Sequence, residues 1–488
     1  TFIVNGKSDG SILGDSGTQV MSGMLASLLH GKAKSALVVG LGTGSTAGWL
    51  ALDPAMERVD VVELEPAILR VARDCAAANG AVMDNPKVKV TIGDAREVLR
   101  TTPQRYDIVF SEPSNPYRAG ISSLYTLEFY EAAADRLNPD GLFVQWIQAY
   151  EVDALAVTTA AVTLRQVFPS VSVWQTMHGD LLLIASRTSA PIDVERLRAM
   201  LQTEPYLSAA RATWRTASAE GVLARFVARP KFVDVLVENR LGLVNTDDQN
   251  FLEFAFARNV GIHRNVSNEL RLLAHRLDVD EPEVVGSVDR AVLVEERLHR
   301  DVLEREPLSV PPDAPAEVQA YARALERVQG DDPLGFMAEW TKLGREPRTY
   351  YEALLVASAA ARAGHERGEE WIAKLPSEAE RDLLRAIWLF ERRRHAEVVD
   401  VLERGLVAAR KDPWLLKWTT LSALNLSRQL GLADRAVARR LATVLREPFA
   451  VEAYRSSRLQ ATVDLARASG DVRLCIEIVD SIDPFPMS

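Results

Sequence analysis

Residues 36–48 read ALVVGLGTGSTAG, an apolar run that leads directly into a turn rich in glycine. The run over 36–40 has the composition of a buried β-strand, and the glycines allow the backbone to turn tightly and to approach a ligand closely. Residues 46–53 then return to the apolar spacing of a helix. A strand, a glycine-rich turn and a helix in this order are typical of the first unit of a nucleotide-binding α/β sheet.

The alternation of strand and helix patterns continues from this unit to residue 186. Further β-prone runs occupy 59–63, 88–92, 106–111, 141–147, 171–174 and 180–185. Helical patterns lie between them at 66–79, 94–100, 126–137 and 153–166. Such alternation predicts a doubly wound, mostly parallel sheet. Only a short polar turn with Gly179 separates the last two runs, which predicts an antiparallel hairpin at the sheet edge.

The rest of the chain reads differently from this α/β region. The first residues predict a small β-hairpin turning at Asn5-Gly6, followed by a helix over 20–30. Helical patterns with short breaks fill the C-terminal half, which predicts tetratricopeptide-like repeats, with an irregular helical bundle as the alternative. The predicted segments are an N-terminal hairpin and helix (1–33), a cofactor-binding domain (34–190), a helical extension closing the active site (191–260) and a helical domain (261–488).

The composition of the chain argues against nucleic-acid binding, a disulfide framework, a structural metal site and a membrane span. The net charge of −10 argues against nucleic acid as the main partner, because duplex binding needs a basic surface. The two cysteines, Cys75 and Cys475, and the scattered histidines predict neither a disulfide framework nor a structural metal site. No apolar run is long enough to span a membrane. The chain starts at Thr1 without a leader pattern, so we expect a piece of a longer protein or a processed one.

Two acidic residues follow the strands next to the glycine-rich turn. Glu63 ends the second strand, within the interval of ~20 residues at which an acidic side chain meets ribose hydroxyls. Asp94 follows the third strand at the same carboxyl edge, where ligands of open α/β sheets bind. Together they predict an adenosine-containing ligand. A dinucleotide is the alternative, disfavoured because Ser45 occupies the third glycine position of its motif.

Several longer motifs resemble one enzyme family. They are DAR at 94–96, YDIVFSEPSNPY at 106–117, LYTLEFY at 124–130, LNPDGLFVQW at 137–146 and NTDD at 245–248. In combination they resemble the spermidine synthase family of aminopropyltransferases, most of all the bacterial branch often fused to a transporter-like membrane segment. The resemblance covers residues 2–260. It implies a Rossmann-like class I methyltransferase fold behind a small β segment, and an aminopropyl donor, decarboxylated S-adenosylmethionine.

The resemblance also implies roles for individual residues. Glu112 would take a proton from the attacking amine, with Asn115 orienting it and Tyr117 as a third catalytic candidate. A carboxylate that only bonds local backbone at a strand end is the alternative for Glu112. The implied cofactor-binding residues are Gly40, Gly42, Thr43, Gly44, Glu63, Asp94, Ala95 and Glu112.

Three positions depart from the family pattern. Thr43 stands where the glycine loop usually has an aspartate, Gln19-Val20-Met21 replace Tyr-His-Glu, and Asn115 replaces the second aspartate of the catalytic loop. These departures argue against putrescine as the acceptor. The candidate substrate-binding residues are Asp15, Gln19, Gln145, Tyr150, Asp247 and Asp248. Trp146 is interpreted as a core residue, with a pocket position as the alternative.

We therefore expect an enzyme that moves an aminopropyl group to a small amine, without a metal. A methyltransferase using intact S-adenosylmethionine is the first alternative, favoured by the missing acid at Thr43. A cofactor-binding scaffold whose helical domain docks a protein partner is the second. We also expect a homo-oligomer, located in the cytoplasm and tethered to a membrane where an upstream segment exists.

Overall fold

The computed structural model describes residues 2–4, 7–114, 120–259 and 265–481. The chain divides into two compact units, Thr1–Pro307 and Leu308–Ser488. The first unit extends past the expected boundary at 260/261, because the helices Ser267–Arg276 and Arg290–Leu303 belong to it rather than to the C-terminal helical part. The divisions expected at 33/34 and 190/191 stay predictions.

The strands all lie in the first unit. They are β1 (Phe2–Val4), β2 (Lys7–Gly10), β3 (Ser35–Val39), β4 (Arg58–Glu63), β5 (Val88–Ile92), β6 (Tyr106–Ser111), β7 (Leu137–Gln148), β8 (Ser170–Met177), β9 (Asp180–Ser186), β10 (Ile192–Asp193), β11 (Phe226–Ala228) and β12 (Val284–Val285). Strands β1 and β2 pair antiparallel, as the sequence predicts. The Asn5-Gly6 turn between them lies outside the described residues.

The main sheet has eight strands in the order β11-β8-β9-β7-β6-β3-β4-β5. The pairs β4–β5, β3–β4, β3–β6 and β6–β7 are parallel, while β9 pairs antiparallel with both β7 and β8. This confirms the doubly wound sheet and its antiparallel hairpin. Strand β11, which pairs with β8, is absent from the sequence prediction because its three residues form too short a pattern.

The helices of the first unit connect these strands. They are α1 (Ser16–His30), α2 (Ser45–Leu52), α3 (Ile68–Asp74), α4 (Ala95–Thr101), α5 (Leu127–Asp135), α6 (Ala154–Val167), α7 (Val194–Met200), α8 (Tyr206–Thr213), α9 (Ala219–Leu223), α10 (Pro230–Glu238), α11 (Phe251–Asn259), α12 (Ser267–Arg276) and α13 (Arg290–Leu303). Short 3₁₀ helices lie at Val82–Asp84 and Ile121–Tyr125.

Helix α3 is shorter than its predicted range of 66–79, because the chain turns back after it. The side-chain amide of the fully buried Asn79 donates to the backbone oxygens of Thr43 and Ala72, at 2.8 and 2.7 Å. A helix continued to residue 79 would remove this brace. The turn after α3 therefore holds the glycine-rich loop in place.

Both faces of the sheet are buried, as a doubly wound fold requires. On β3, β6 and β7 one set of alternate residues, including Leu37, Val109 and Phe143, joins a single core with α5, α6 and α10. The other set, including Val38 and Phe110, is equally inaccessible to solvent. Buried strands of this kind read as continuous apolar runs, which is why the sequence identifies them.

The described part of the second unit is helical. Its helices are α14 (Ala316–Gln329), α15 (Pro333–Leu343), α16 (Tyr350–Arg362), α17 (Gly368–Ala373), α18 (Glu378–Glu391), α19 (His395–Ala409), α20 (Lys417–Ala433), α21 (Arg435–Arg446), α22 (Arg455–Ser469) and α23 (Val472–Ser481), with a 3₁₀ turn at Glu452–Tyr454. Neighbouring helices such as α18 and α19 pack on each other. The tetratricopeptide-like repeat stays a prediction. No described helix is long and apolar enough to cross a membrane.

Gly48 on α2 offers a test of the packing behind the glycine-rich loop. A Cβ atom at this position would lie 1.8 Å from the backbone oxygen of Asn79. Helix propensity alone predicts that Gly48→Ala stabilises the protein by about 1 kcal/mol, whereas the clash predicts a loss of about 2 kcal/mol. We expect a lower melting temperature in thermal unfolding. Gly93→Ala is the control, since open space surrounds its Cβ position, and a raised melting temperature for Gly48→Ala contradicts this packing.

Candidate active site

A cavity of about 920 Å³ opens at the carboxyl edge of the parallel strands. Its lining comes from the start of α1, the segments that follow β3 to β7, and the first residue of β9. Of the candidate catalytic, cofactor-binding and substrate-binding residues, those that line it are Asp15, Gln19, Gly40, Gly42, Thr43, Glu63, Asp94, Ala95, Glu112 and Tyr150. The structure thus brings residues from 15 to 150 to one place.

The glycine-rich loop passes very close to the chain that follows β6. A Cβ atom at Gly40 would lie 2.5 Å from the backbone oxygen of Glu112, and the φ of +95° at Gly40 is one that other residues rarely adopt. Gly42 borders the cavity with no atom within 4 Å of its Cβ position. Gly44 does not line the cavity and instead begins α2 at a φ of +79°. The loop therefore presents bare backbone to a ligand at Gly42.

Glu63 holds the loop through its carboxylate. Its Oε2 atom accepts a hydrogen bond from the backbone N–H of Leu41 and its Oε1 atom accepts one from that of Glu65, both at 2.8 Å. A carboxylate offers about four acceptor positions, so two remain for a ligand in the cavity. Asp94 caps α4 by accepting from the backbone N–H of Arg96 at 2.8 Å, and its exposed side chain borders the same cavity.

Glu112 follows β6 and is half-buried against α2. The hydroxyl Oγ1 of Thr46 lies 2.6 Å from Oε2 of Glu112 and 2.8 Å from the backbone oxygen of Gln19. Burial raises the pKa of Glu112 to about 8, against the opposing effect of the hydrogen bond with Thr46. The negative charges of Asp180 and Asp15 raise this pKa further. Sequence reasoning missed Thr46.

The hydroxyl of Thr46 has one proton for these two oxygens. The backbone oxygen of Gln19 can only accept, so an ionised Glu112 would compete with it for that proton. A protonated Glu112 removes the competition, because it donates to Thr46 while Thr46 donates to Gln19. The arrangement of the hydrogen bonds and the raised pKa thus agree that Glu112 holds a proton in the ligand-free site.

Two of the positions that depart from the family pattern bind each other. Oγ1 of Thr43 donates to Oε1 of Gln19 and lies 2.9 Å from Oγ of Ser45. Both side chains line the cavity without a charge. Thr43, in place of the glycine-loop acid, and Gln19, in place of the N-terminal tyrosine of the family pattern, therefore form one neutral hydrogen-bonded pair.

Asp180 is a carboxylate of this site that sequence reasoning missed. It begins β9, whose first residue faces the end of β7, and it lines the cavity half-buried. Burial raises the pKa of Asp180 to about 7, although a hydrogen bond from Thr18 opposes the shift. The only signal in the sequence is an aspartate at the head of the apolar run 181–185.

The lining of the cavity is acidic. Among the described residues, the lining has no lysine, arginine or histidine, and its carboxyl side chains are those of Asp15, Glu63, Glu65, Asp94, Glu112 and Asp180. A cleft with charges of a single sign concentrates ligands of the opposite sign. The described lining of the cavity therefore favours a cationic ligand.

The comparisons with known proteins agree with this geometry. Residues 18–179 match the spermine/spermidine synthase domain. The resemblance drawn from the sequence motifs is thereby confirmed for this part of the chain. The fused membrane segment of the bacterial branch stays a prediction.

The curated relatives that this chain matches share only part of their length with it. A polyamine aminopropyltransferase of Serratia proteamaculans is 27% identical over 169 residues, which are 34% of this chain and 58% of the relative. One of Mycobacterium tuberculosis is 39% identical over 116 residues, 23% of this chain and 22% of the relative. The crystal structure of spermidine synthase from Thermotoga maritima is 24% identical, with a TM-score of 0.33, and covers 37% of this chain and 65% of that one.

Three candidate substrate-binding residues lie outside the cavity at the carboxyl edge of the sheet. Gln145 is fully buried, and its amide nitrogen donates to the backbone oxygen of Trp146 at 3.0 Å. Asp247 forms an ion pair with Arg96, and Asp248 is exposed to solvent. The NTDD motif has a packing role instead, because its buried Asn245 bonds the backbone of neighbouring segments.

Trp146 is both a core residue and a cavity residue, since it is only 8% exposed and still lines the cavity. Asn115 and Tyr117 lie outside the described residues. At the opposite edge of the sheet the ligand atoms of His30, Asp107 and Asp140 approach within 4.8 Å of one another. Asp107 already accepts a hydrogen bond from Asn138, and Asp140 forms an ion pair with Lys32. The absence of a metal stays a prediction.

The raised pKa of Glu112 has a measurable effect on stability. A carboxyl whose pKa rises on folding stabilises the protein less as the pH rises from its unfolded value of 4.5 to its folded value of about 8. Glutamine mimics the protonated carboxyl. Glu112→Gln should therefore match the ligand-free wild type in stability at about pH 4 and exceed it by roughly 3–5 kcal/mol at about pH 9.

Thermal unfolding across this pH range checks the expectation. Glu131→Gln is the control, because Glu131 is an exposed residue on α5 that does not line the cavity. A difference between Glu112→Gln and wild type that does not change with pH contradicts the raised pKa.

Proposed function

We propose that this protein transfers an aminopropyl group from decarboxylated S-adenosylmethionine to an amine. The observation that carries the proposal is the cavity beside the glycine-rich loop, with six carboxylates and no basic side chain among its described residues. Both co-substrates are cations. The match of residues 18–179 to the spermine/spermidine synthase domain supports the same reaction.

The charge of the cavity favours the decarboxylated donor over intact S-adenosylmethionine. The decarboxylated compound carries two positive charges and no negative one, whereas the intact compound adds a carboxylate to its reactive tail. A ligand carboxylate ~4 Å from a carboxylate of the protein costs about 4 kcal/mol at an effective dielectric constant near 20. Without a described cation to offset this repulsion, the cavity selects against the methyl donor.

The order of strands supports one direction for the bound donor. Asp94 follows β5 and Glu63 ends β4, so adenine and ribose lie at this side of the sheet. The glycine-rich loop after β3 contacts the middle of the ligand, and Glu112 after β6 faces the sulfonium and its propyl arm. The assignment of Asp94 and Glu63 to the adenosine part of the donor is the one that the sequence resemblance implies.

Glu112 serves as the base of the reaction. The acceptor nitrogen gives its proton to the carboxylate, attacks the carbon bound to sulfur, and the C–S electron pair leaves on sulfur as methylthioadenosine. A positively charged ligand lowers the raised pKa of Glu112, which frees the carboxylate for this role. Because the sulfonium is already a good leaving group, holding the amine in line supplies much of the acceleration.

Calorimetric titration with three ligands tests the choice of donor. We expect decarboxylated S-adenosylmethionine to bind at least about tenfold more tightly than the intact compound, with methylthioadenosine also binding. Tighter binding of the intact compound overturns the aminopropyl proposal in favour of methyl transfer. Binding of none of the three leaves the chain as a scaffold.

Glu112→Gln tests the base. Transfer should fall by about 10²–10⁴-fold, the range expected when a general base is removed. Donor affinity should stay within a few-fold, and Glu131→Gln should transfer like wild type. A turnover rate for Glu112→Gln close to that of wild type removes Glu112 from this role.

A further inference from the structure

Asp180 is held at the cavity by two elements distant in sequence. Its Oδ2 atom accepts a hydrogen bond from the hydroxyl of Thr18 on α1, at 2.7 Å. Its Oδ1 atom accepts one from the indole N–H of Trp146 on β7, at 3.2 Å. Asp180 also lies one residue beyond the segment that matches the synthase domain. The position is fixed by the fold, and no family motif assigns it.

The hydrogen bonds around Asp180 suit an anion. The hydroxyl oxygens of Thr176 and Thr18 are 2.9 Å apart, so Thr176 can donate to Thr18 while Thr18 donates to Asp180. Such a chain directs its donors at the carboxylate and strengthens along its length. Each oxygen keeps one further acceptor position, because a carboxylate offers about four.

No described cation pairs with this carboxylate. The ion pairs of the neighbouring segment join other groups, namely Arg225 to Glu304 and Arg271 to Glu306. The charged groups that act on Asp180 are themselves acidic, namely Asp15 at the start of α1 and Glu304 after α13. A carboxylate arranged to be an anion, yet surrounded by anions, has its counterion in a ligand.

The backbone behind Asp180 is firmly anchored. The N–H of His178 donates to Glu304 at 2.5 Å, and the indole N–H of Trp214 donates to the backbone oxygen of Thr176 at 2.9 Å. Gly179 has a φ of +83° and lies against the ring of Tyr150. The hairpin therefore presents Asp180 to the cavity in one orientation.

We propose that Asp180 binds an ammonium group of the acceptor, which is a diamine with its second nitrogen at Glu112. The inference rests on the proposed function for the reaction that it serves. Strands β6 and β9 are separated by β7, so the two strand ends that carry Glu112 and Asp180 lie ~10 Å apart. A short aliphatic chain with a nitrogen at each end spans that interval. Asp180 thus supplies negative charge that the substitutions at Met21, Thr43 and Asn115 remove.

Binding of putrescine and of butylamine to the full chain, measured by calorimetry in the presence of methylthioadenosine, tests the proposal. The two probes have the same carbon chain but two nitrogens and one nitrogen, respectively. We expect wild type to bind putrescine about tenfold or more tightly than butylamine. Asp180→Asn should erase this preference and leave the affinity for the decarboxylated donor within about twofold. Asp180→Glu should retain part of the preference, because it keeps the charge.

A diamine preference that persists in Asp180→Asn overturns the proposal, as does an absent preference in wild type. A loss of donor binding in the same variant also overturns it, because Asp180 would then hold the donor or the fold. Calorimetry measures amine binding, so the result does not depend on whether the transfer reaction takes place. If intact S-adenosylmethionine proves to be the donor, the proposed function fails while the diamine preference still reports on Asp180.

Wild type alone provides a second measurement, independent of the folding of any variant. Burial raises the pKa of Asp180 to about 7, so its charge falls as the pH is lowered through that value. The ratio of putrescine to butylamine affinity should fall between about pH 8 and about pH 5.5. Taking the ratio cancels the titration of Glu112, which acts on the nitrogen that both amines share. A constant ratio contradicts the role of Asp180.

Discussion

The close approach between Gly40 and Glu112 is the constraint on which the rest of the site depends. No side chain fits at Gly40, where a Cβ atom would lie 2.5 Å from the backbone oxygen of Glu112. The N–H of Glu112 donates to the oxygen of Val39 at 3.0 Å, which continues the pairing of β3 with β6 beyond its last strand residue. The loop can therefore leave β3 at this point and carry Thr46 to the carboxylate. Loop and carboxylate form one structural feature.

The sequence predicts the sheet because its signals are local. A buried parallel strand is a continuous apolar run, and the change from strand to helix spacing marks each crossover. Residues that directly follow strands, such as Glu63, Asp94 and Glu112, reach one sheet edge whatever the details of packing. Their meeting at the cavity follows from topology alone, so the adenosine side of the site is accessible to sequence reasoning.

The acceptor side depends on contacts that no local pattern records. Thr18 and Asp180 are 162 residues apart, and their hydrogen bond exists because α1 packs beside the hairpin of β8 and β9. The pair Asp247-Asp248 looks like a binding site in sequence, but an ion pair with Arg96 holds Asp247 outside the cavity. Helix α3 ends early because Asn79 braces Thr43, a contact between separate segments.

In the ligand-free site Glu112 is protonated, at the place where the proposed donor brings its positive charge. Ionising Glu112 beside Asp15 and Asp180 is unfavourable, and the single proton of Thr46 cannot serve both neighbouring oxygens. A bound sulfonium would reverse this balance, because its positive charge stabilises the carboxylate that burial and the nearby negative charges keep protonated. On the proposed function the base therefore becomes available only once the donor is in place. The proton that Glu112 holds before the donor binds and the basicity that activates the acceptor are then two states of one carboxyl group.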